Sequence, residues 1–322
     1  MSEMPAWPAQ LAVPGAVRDG AQLVAFGDRT AERELAGCAA THAPRGDLAV
    51  VSVGGADARQ FLHAQVSANL AQLGAGAGVC TAWCSPKGRV LYLLTVIGTD
   101  DGFRVLLPRA RCEAFVKRLR MFVLRAAVTV EPLPDDGVVI LDGVTAPLQL
   151  PAGLMAGEVT GTTLVCGPAD ILAESWNALP GTPIGEPAAL LADVRRARPR
   201  LDDALVDQFL PQELDLDRHA GVSFDKGCYP GQEIIARVRF RGSVKRRLAR
   251  FAATGDALPA PGTRLVVSGS DRACGTVLMA APATHDRTEL LAVLDVGATG
   301  VALATHPQQL LERLDDGDGG AD

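Results

Sequence analysis

Residues 209–242 read FLPQELDLDRHAGVSFDKGCYPGQEIIARVRFRG, and this stretch decides how the rest of the chain is interpreted. Residues 221–224 predict a short strand, and residues 234–238 predict the body of a helix or a strand. The segment between them contains a cysteine flanked by Gly227 and Gly231, which permit backbone conformations or close ligand approach that a side chain would block. We therefore expect the chemistry of the chain to lie in this connection.

The reactive group of the connection is Cys228. If Pro230 is the first helical residue, Cys228 lies just before a helix N-terminus. The unpaired amides there, together with Lys226 and Arg237, would favour the thiolate, which is a nucleophile, a metal ligand and a redox group. For an isolated Lys-Gly-Cys, a plain turn with a buried, inert cysteine is the more common outcome. The longer run at residues 226–233 favours a functional thiol.

Length and composition indicate a folded, cytoplasmic protein of two or three units. A chain of 322 residues, 48% apolar and 21% charged, exceeds what one core usually serves and lies outside the composition of disordered proteins. Its seven cysteines are an odd number that suits reduced thiols better than a disulfide framework. We expect no secretory signal in the first ten residues and no membrane helix, since no apolar run approaches about 20 residues.

The charge is unevenly distributed along the chain. A net charge of −6 argues against a general nucleic-acid-binding protein. Three basic runs nevertheless occur, at residues 104–125, 195–200 and 234–255. Each alone fits a solvated face, whereas the three together suggest an anionic ligand or partner. No aromatic platform accompanies them, so an RNA-binding module is the less favoured interpretation, and we expect no direct nucleic-acid binding.

The first predicted unit, residues 20–135, is an α+β layer with a ferredoxin-like outline. Its predicted elements are a strand at 48–53, a helix at 57–73, strands at 79–84, 89–97 and 103–107, a helix opened by Pro108, and a strand at 126–130. This alternation predicts a split βαβ sheet with helices on one face.

Two further units are predicted. Residues 136–245 form a smaller α+β unit that carries the cysteine loop, and residues 246–314 form short strands typical of a small antiparallel barrel or sandwich. Residues 1–45 predict a loosely organised lead-in, and residues 315–322 predict a disordered tail.

The run KGCYPGQE, followed by Ala-Arg at 236–237 and Arg-Gly at 241–242, resembles the signature of the YgfZ family. Three upstream segments are also similar: GADARQFLHAQ at 55–65, SPKGR at 85–89 and FLPQE at 209–213. The family comprises folate-binding proteins linked to iron–sulfur cluster assembly or repair, and it is related to the glycine-cleavage T-protein. The resemblance implies an α+β, T-protein-like ring of three subdomains, two of them mixed and the first ferredoxin-like, with a C-terminal small antiparallel β-barrel.

The resemblance implies that Cys228 is the functional residue and that a tetrahydrofolate, its polyglutamylated form or a one-carbon derivative binds in the central hole. The candidate folate-binding residues are Lys226, Gly227, Tyr229, Gly231, Gln232, Glu233, Arg237, Arg239, Trp83, Lys87, Arg89 and Glu213. Arg237 and Arg239, with the run at 195–200, are assigned from charge because the glutamate tail of a folate carries carboxylates.

Several candidates have a second interpretation. Trp83 fits stacking on a pterin ring, but burial alone explains a strand tryptophan. Lys87 and Arg89 face either the ligand hole or solvent at a hairpin tip. His219 fits either a base for Cys228 or a polar loop residue, and His63 fits packing.

No metal site is predicted. Cys80 and Cys84 share one face of a predicted strand, and the sequence offers no second pair of cysteines or histidines to complete a zinc site. A structural role for both cysteines is therefore the favoured interpretation.

Two departures from the T-protein branch narrow the function. Leu91 and Tyr92 replace an acidic pair that helps position aminomethyl chemistry there, and arginines at 195–196 replace a glutamate that holds the pterin, a role arginine cannot fill because it accepts no hydrogen bond. We therefore expect an accessory protein for iron–sulfur cluster assembly or repair, with iron–sulfur enzymes or assembly factors as partners and a link to tRNA modification. The alternative is a folate-dependent aminomethyl or methyl transferase or demethylase. Whether the protein turns over a substrate stays open.

Overall fold

The segment before the first strand of the predicted ferredoxin-like sheet is ordered and packed. The computed structural model of the chain describes residues 7–255 and 258–314. Four elements come first: β1 (Val17–Asp19), β2 (Gln22–Ala25), α1 (Arg29–Leu35) and β3 (Thr41–Pro44). The prediction of a loose lead-in over residues 1–45 is wrong for the described part, because Trp7 and Leu23 are buried and β3 joins a sheet made by later residues.

The first sheet confirms the ferredoxin-like prediction. Its elements are β4 (Leu48–Gly54), α2 (Ala58–Gln65), β5 (Gly78–Cys84), β6 (Val90–Thr99), β7 (Gly102–Pro108), α3 (Cys112–Arg120) and β8 (Thr129–Leu133). The strand order is β5-β6-β7-β4-β8, antiparallel throughout. The last four strands in that order have the ferredoxin-like arrangement, to which β5 is added at the edge.

Most strand bounds in this unit agree with the prediction to within two residues, whereas one helix and the last strand differ by more. The helix predicted over residues 57–73 ends at Gln65, because Val66 bridges to Trp83 and the Ser67 amide donates to the Ala82 carbonyl, so the chain turns back along β5. The last strand begins at Thr129, three residues later than predicted, because hydrogen-bonded turns follow α3.

The second sheet combines β3 with later strands. Its further elements are β9 (Asp136–Asp142), β10 (Met155–Val159), β11 (Thr162–Pro168), α4 (Ala169–Ser175), β12 (Thr182–Pro183) and α5 (Glu186–Arg195). The order is β10-β11-β9-β3-β12, with β12 parallel to β3 and the other pairs antiparallel. Apolar residues of α5, including Leu191 and Val194, are fully buried and fix the helix against the core.

An irregular segment with short 3-10 turns follows α5 and leads to α6 (Gln232–Arg241). It crosses the edge of the first sheet: the Val90 amide donates to the Phe209 carbonyl at 2.8 Å, and the Asp207 amide donates to the Val90 carbonyl at 2.9 Å. The strand predicted at 221–224 does not form. The Gly221 carbonyl instead accepts hydrogen bonds from the Ser67 and Thr81 hydroxyls.

The C-terminal unit is an antiparallel sheet curled into a half-barrel, consistent with the predicted small barrel. Its strands are β13 (Arg246–Thr254), β14 (Arg264–Val267), β15 (Ala273–Pro282), β16 (Arg287–Asp295), β17 (Val301–Leu303) and β18 (Glu312–Arg313), in the order β17-β14-β15-β16-β13-β18. The short strands predicted in this unit, at residues 248–252, 263–267, 274–279 and 290–296, correspond to β13–β16. The predicted tail at 315–322 lies outside the described residues. None of the helices in the described ranges is long and apolar enough to cross a membrane.

Candidate functional site

Cys228 is exposed in the loop that enters α6. The helix begins at Gln232 and is preceded by Gly231 in a left-handed conformation, with φ 81°. Pro230 is therefore not helical, and the prediction that Cys228 lies just before a helix N-terminus is wrong. The thiol is accessible because the loop that carries it lies at the surface of the protein.

Lys226 anchors the start of that loop inside the protein. Its ammonium donates to the carbonyls of Val66 and Ala68, each at 2.8 Å, and to the carbonyl of His63. These carbonyls lie in the last turn of α2 and just beyond its C-terminal end. Partial negative charge accumulates at this end of a helix and favours a cation. Burial lowers the pKa of Lys226 to about 8. The proposed effect of Lys226 on the Cys228 thiolate is not supported, because this cation is occupied by the first unit.

Tyr229 anchors the loop on the other side of the cysteine. Its side chain is buried, and its ring centroid lies 5.1 Å from the Lys226 ammonium. The Gln232 side-chain amide donates to the Lys226 carbonyl at 3.4 Å and ties the loop to the first turn of α6. Gly227 and Cys228 are thus exposed between two buried anchors.

A close contact between two glycines joins the loop to the β5–β6 hairpin. A Cβ on Gly231 would lie 2.5 Å from the Gly88 Cα and 2.6 Å from the Ser85 carbonyl oxygen, so a side chain has no room. Gly88 itself has a φ of +73°. The SPKGR and KGCYPGQE segments, far apart in sequence, therefore form one packed unit.

Glu213 connects the third segment, FLPQE, to the same unit. Its buried carboxylate accepts hydrogen bonds from Arg89 at 3.2 Å, Arg246 at 2.9 Å and the Leu210 amide at 2.8 Å. Arg89 also donates to the Gln208 carbonyl at 2.7 Å. Arg89 and Glu213 hold the framework around the loop together.

The remaining candidates of this group lie on different surfaces. Lys87 is exposed at the hairpin tip, and Glu233, Arg237 and Arg239 are exposed on α6. Trp83 is only 2% exposed. It packs against Tyr92, Phe115 and Phe122 in the first core, which leaves its ring no free face for a ligand.

A cavity of about 200 Å³ lies between the first and second sheets. Its walls are apolar side chains, with polar groups concentrated at residues 45–47 and 193–200. The lining includes Leu93, Leu106, Ile140, Val159, Arg45, Asp47, Asp193, Arg196, Arg198, Arg200, Cys80, Leu214, Leu216 and His219. Cys228 and the other candidates of its loop are not part of this lining. The segment from Leu214 to His219 leads directly into the loop and links the two places.

Buried ion pairs order the polar side of the cavity. Asp193 accepts from Arg198 at 2.9 Å and Arg200 at 2.5 Å and lies 3.3 Å from Arg45. Burial alone would raise the pKa of Asp193, but the neighbouring guanidinium groups lower it below its ordinary value. Asp142 has the same balance, with Arg198 at 2.6 Å and a lowered pKa.

The arginines of the run at 195–200 differ in their availability. Arg195 points away from the cavity and binds Glu289 together with the Arg33 and Ala36 carbonyls. Arg196 has only a 3.5 Å contact with Asp142 and keeps 32% of its side chain exposed. Arg196 is therefore the cation of this run with the weakest internal partner.

Sequence reasoning missed the acids of the cavity. Asp47 and Asp193 carry no motif, and Asp47 lies directly after the segment interpreted as a lead-in. The pairing of β3 with β12, the short strand that leads into α5, places Arg45 3.3 Å from Asp193. Asp47 joins this cluster through Arg45 and Arg200. The isolated polar pair in an apolar stretch, Arg45-Gly46-Asp47, is the one signal that could have indicated a buried charge cluster.

No group of three or more histidines, cysteines or acids within residues 7–255 and 258–314 is arranged to hold a metal ion. Burial raises the pKa of both Cys80 and Cys84 to about 12, so these thiols stay protonated. His63 accepts a hydrogen bond from the Leu70 amide at 3.1 Å, in keeping with packing.

The chain is similar to known proteins in sequence and in fold. No family model matches the chain. A tRNA-modifying protein YgfZ from Edwardsiella ictaluri is 30% identical over 276 residues, covering 77% of this chain and 82% of that protein. A tRNA-modifying protein YgfZ from Escherichia coli O139:H28 is 31% identical over 270 residues, covering 73% and 79% respectively. The chain belongs to the YgfZ family.

The fold of this YgfZ-family chain is that of the T-protein. Glycine cleavage system aminomethyltransferase T from Bartonella henselae matches with a TM-score of 0.67 over 88% of this chain and 86% of that one, at 14% sequence identity. At that identity the match establishes the shared fold alone. The YgfZ-family loop, SPKGR turn and FLPQE segment therefore sit on a T-protein-like scaffold.

Proposed function

We propose that this YgfZ-family protein is a tetrahydrofolate-binding accessory protein for iron–sulfur cluster assembly or repair and that it acts through Cys228. The proposal rests on one observation: the chain segment that lines the cavity continues into the loop that carries Cys228. A cavity with apolar walls and arginines lies between the two α+β units, and the segment that lines it at Leu214–His219 continues into the exposed cysteine loop.

The donor set of the cavity fits a folate. Leu93, Leu106 and Ile140 offer apolar surface to a flat ring. Asp47, whose side chain is 36% exposed, already accepts from Arg45 and Arg200, and the remaining lone pairs of its carboxylate can accept hydrogen bonds from a ring amino group. Arg196 is the group we assign to the carboxylates of the glutamate tail, because it is the least occupied of the lining arginines. A bound folate would supply a one-carbon carrier.

Cys228 is the exposed thiol that lies in the loop of the family signature, whereas Cys38, the other exposed cysteine, follows α1. Cys80, Cys84 and Cys166 have their pKa raised to about 12 by burial. Cys228 is exposed and is held outward between Lys226 and Tyr229. The exposed thiol is available as a nucleophile, a redox thiol or a transient ligand.

The names of the relatives suggest the client process. Because they are called tRNA-modifying proteins, we propose that the iron–sulfur clients include enzymes of tRNA modification in the cytoplasm. Aminomethyl transfer is not favoured by any observation on the described residues. Tyr92, at one position of the T-protein acidic pair, packs against Trp83.

Folate binding is tested by titration calorimetry with tetrahydrofolate. We expect saturable binding by the wild type, weakened about tenfold by Arg196→Ala through loss of a charge-assisted pair and unchanged by the exposed Arg272→Ala. No binding by the wild type would overturn the folate part of the proposal.

The role of Cys228 is tested by rescue. Cells that lack the protein are complemented with wild type, Cys228→Ser or Cys38→Ser, and the activity of iron–sulfur enzymes is measured. Cys38 is a matched control because it is also exposed. We expect rescue by wild type and Cys38→Ser and failure of Cys228→Ser at equal protein levels. Equal rescue by all three returns Cys228 to a structural role.

A further inference from the structure

An aromatic and basic surface is formed by exposed side chains of α6 and by the half-buried Phe224 that packs beside the helix, and neither the cavity nor Cys228 accounts for it. Of the ten helix residues, all of which the structure describes, Ile235 alone is buried. We use the name α6 surface for Phe224, Arg237, Arg239, Phe240 and Arg241. The helix adds little to the core, so its outward composition is free to serve a partner.

Two phenylalanines distant in sequence meet on this surface. Phe240 is 69% exposed, which is unusual for a residue whose burial would stabilise the fold. Its ring lies edge to face with Phe224, with centroids 5.9 Å apart. The Arg239 guanidinium lies 5.8 Å from the Phe224 ring centroid. Rings flanked by guanidinium groups form a platform on which a flat base can stack.

The cations of the surface are not used internally. Arg237, Arg241 and the adjoining Lys245 are exposed, and their side chains make no hydrogen bond or ion pair with any residue that the structure describes. The next two residues behave differently, because Arg246 and Arg247 are each bound to buried or half-buried carboxylates. In the basic run at 234–255, Arg246 and Arg247 are therefore structural, whereas Arg237, Arg241 and Lys245 are available to a partner.

Within residues 224–245, the acids lie at one end of the segment. Asp225 and Glu233 are exposed near its N-terminal end, and residues 237–245 contain no acid. Because the whole chain carries a net charge of −6, long-range attraction of a polyanion is weak and binding has to be local. A partner therefore has to use the aromatic rings as well as the charges.

We propose that the α6 surface binds single-stranded RNA, such as the unpaired nucleotides of a tRNA loop. Bases would stack on Phe240 and Phe224 while phosphates pair with Arg237, Arg239 and Arg241. An acidic protein segment would use the arginines but has no need of an exposed ring beside them. The sequence alone argued against RNA for want of an aromatic platform, and the contact between Phe224 and Phe240 supplies one.

Fluorescence anisotropy with a labelled oligouridine and with an unmodified tRNA transcript tests this proposal across a range of salt concentrations. We expect Phe240→Ala to weaken binding of both probes about tenfold through loss of stacking. The combined Arg237→Ala, Arg239→Ala and Arg241→Ala variant should lower the slope of log affinity against log salt by about two. All these side chains are exposed, so the variants should keep the wild-type circular dichroism spectrum.

A charge-matched control uses Arg29→Ala, Arg264→Ala and Arg272→Ala, three exposed arginines on other elements. We expect this variant to bind both probes with an affinity close to that of the wild type. Equal loss by the control variant, or no effect of Phe240→Ala, would reduce the binding to nonspecific electrostatics and overturn the proposal. Binding of polyglutamate as tight as that of RNA would assign the surface to an acidic protein and overturn it as well.

Discussion

At the scale of single residues, Lys226 caps the C-terminal end of α2, because its ammonium donates hydrogen bonds to the carbonyls there. The helix has only eight residues, and the carbonyls at and beyond its end would be buried without donors if Lys226 were absent. An unpaired buried carbonyl costs about 1–3 kcal/mol. Lys226, the first residue of the KGCYPGQE loop, therefore joins the loop to the first unit by hydrogen bonds. These hydrogen bonds also fix the position of Cys228, two residues further along.

Replacing Lys226 by methionine should destabilise the protein in a pH-dependent way. We expect a loss of about 2 kcal/mol at neutral pH, because the carbonyls lose their donor. The pKa of Lys226 is about 8 in the folded state against an ordinary value of 10.5. Between these values the unfolded chain holds more protons, so rising pH favours the folded wild type. Urea unfolding should show the gap between wild type and Lys226→Met widening from pH 8 towards 10.5.

The exposed Lys87→Met serves as the control for this prediction. Its unfolding midpoint should track that of the wild type at each pH. A gap between wild type and Lys226→Met that stays constant over the window would contradict the assignment of a buried, desolvated ammonium.

At the scale of elements, regular periodicity predicted most strands and both helices of the first unit. It did so because these elements bury one face in a local core, as Phe61 and Leu62 do in α2. The placement of β3 could not be predicted, since its partners β9 and β12 lie far along the chain. The end of α2 was also missed, because apolar residues at Val66 and Leu70 continue the helical spacing although tertiary pairing with Trp83 ends the helix.

The two glycines beside Cys228 should respond very differently to alanine. Gly231→Ala places a Cβ against Gly88 and forces a left-handed backbone, so we expect a loss of about 2–4 kcal/mol. A Cβ on Gly227 meets nothing within 4 Å, so Gly227→Ala should stay within about 0.5 kcal/mol of the wild type. Denaturant unfolding of the pair measures this difference. Equal effects would mean that the loop and the SPKGR turn are not packed as described.

At the scale of the whole molecule, the candidate site divides into parts of unequal predictability. The loop of Cys228 was predictable because its residues are contiguous and form a specific run. The cavity was not, because Arg45, Asp47 and Asp193 converge only when α5 packs beside β3. Arg237 and Arg239, assigned to folate from charge, lie on the exposed face of α6 instead of the cavity lining. A run of basic residues in the sequence shows only the local composition. A ligand site requires side chains from different elements to lie close together in the fold.

Asp193 forms ion pairs with three arginines and should therefore contribute strongly to the stability of the protein. Asp193→Asn leaves the guanidinium groups of Arg45, Arg198 and Arg200 short of a buried counter-charge, so we expect a loss of about 3–5 kcal/mol at neutral pH. Because the folded pKa of Asp193 is below its ordinary value of 3.8, its stabilisation is complete above that value and is lost as the pH falls through the folded pKa. Unfolding at pH 7 and at pH 3 should therefore show a gap between wild type and Asp193→Asn that shrinks in acid. Glu312→Gln, which breaks the exposed pair with Arg287, is the control and should change little. A gap that persists unchanged in acid would contradict an ionised Asp193 as the tie, and would assign the loss to packing of α5 alone.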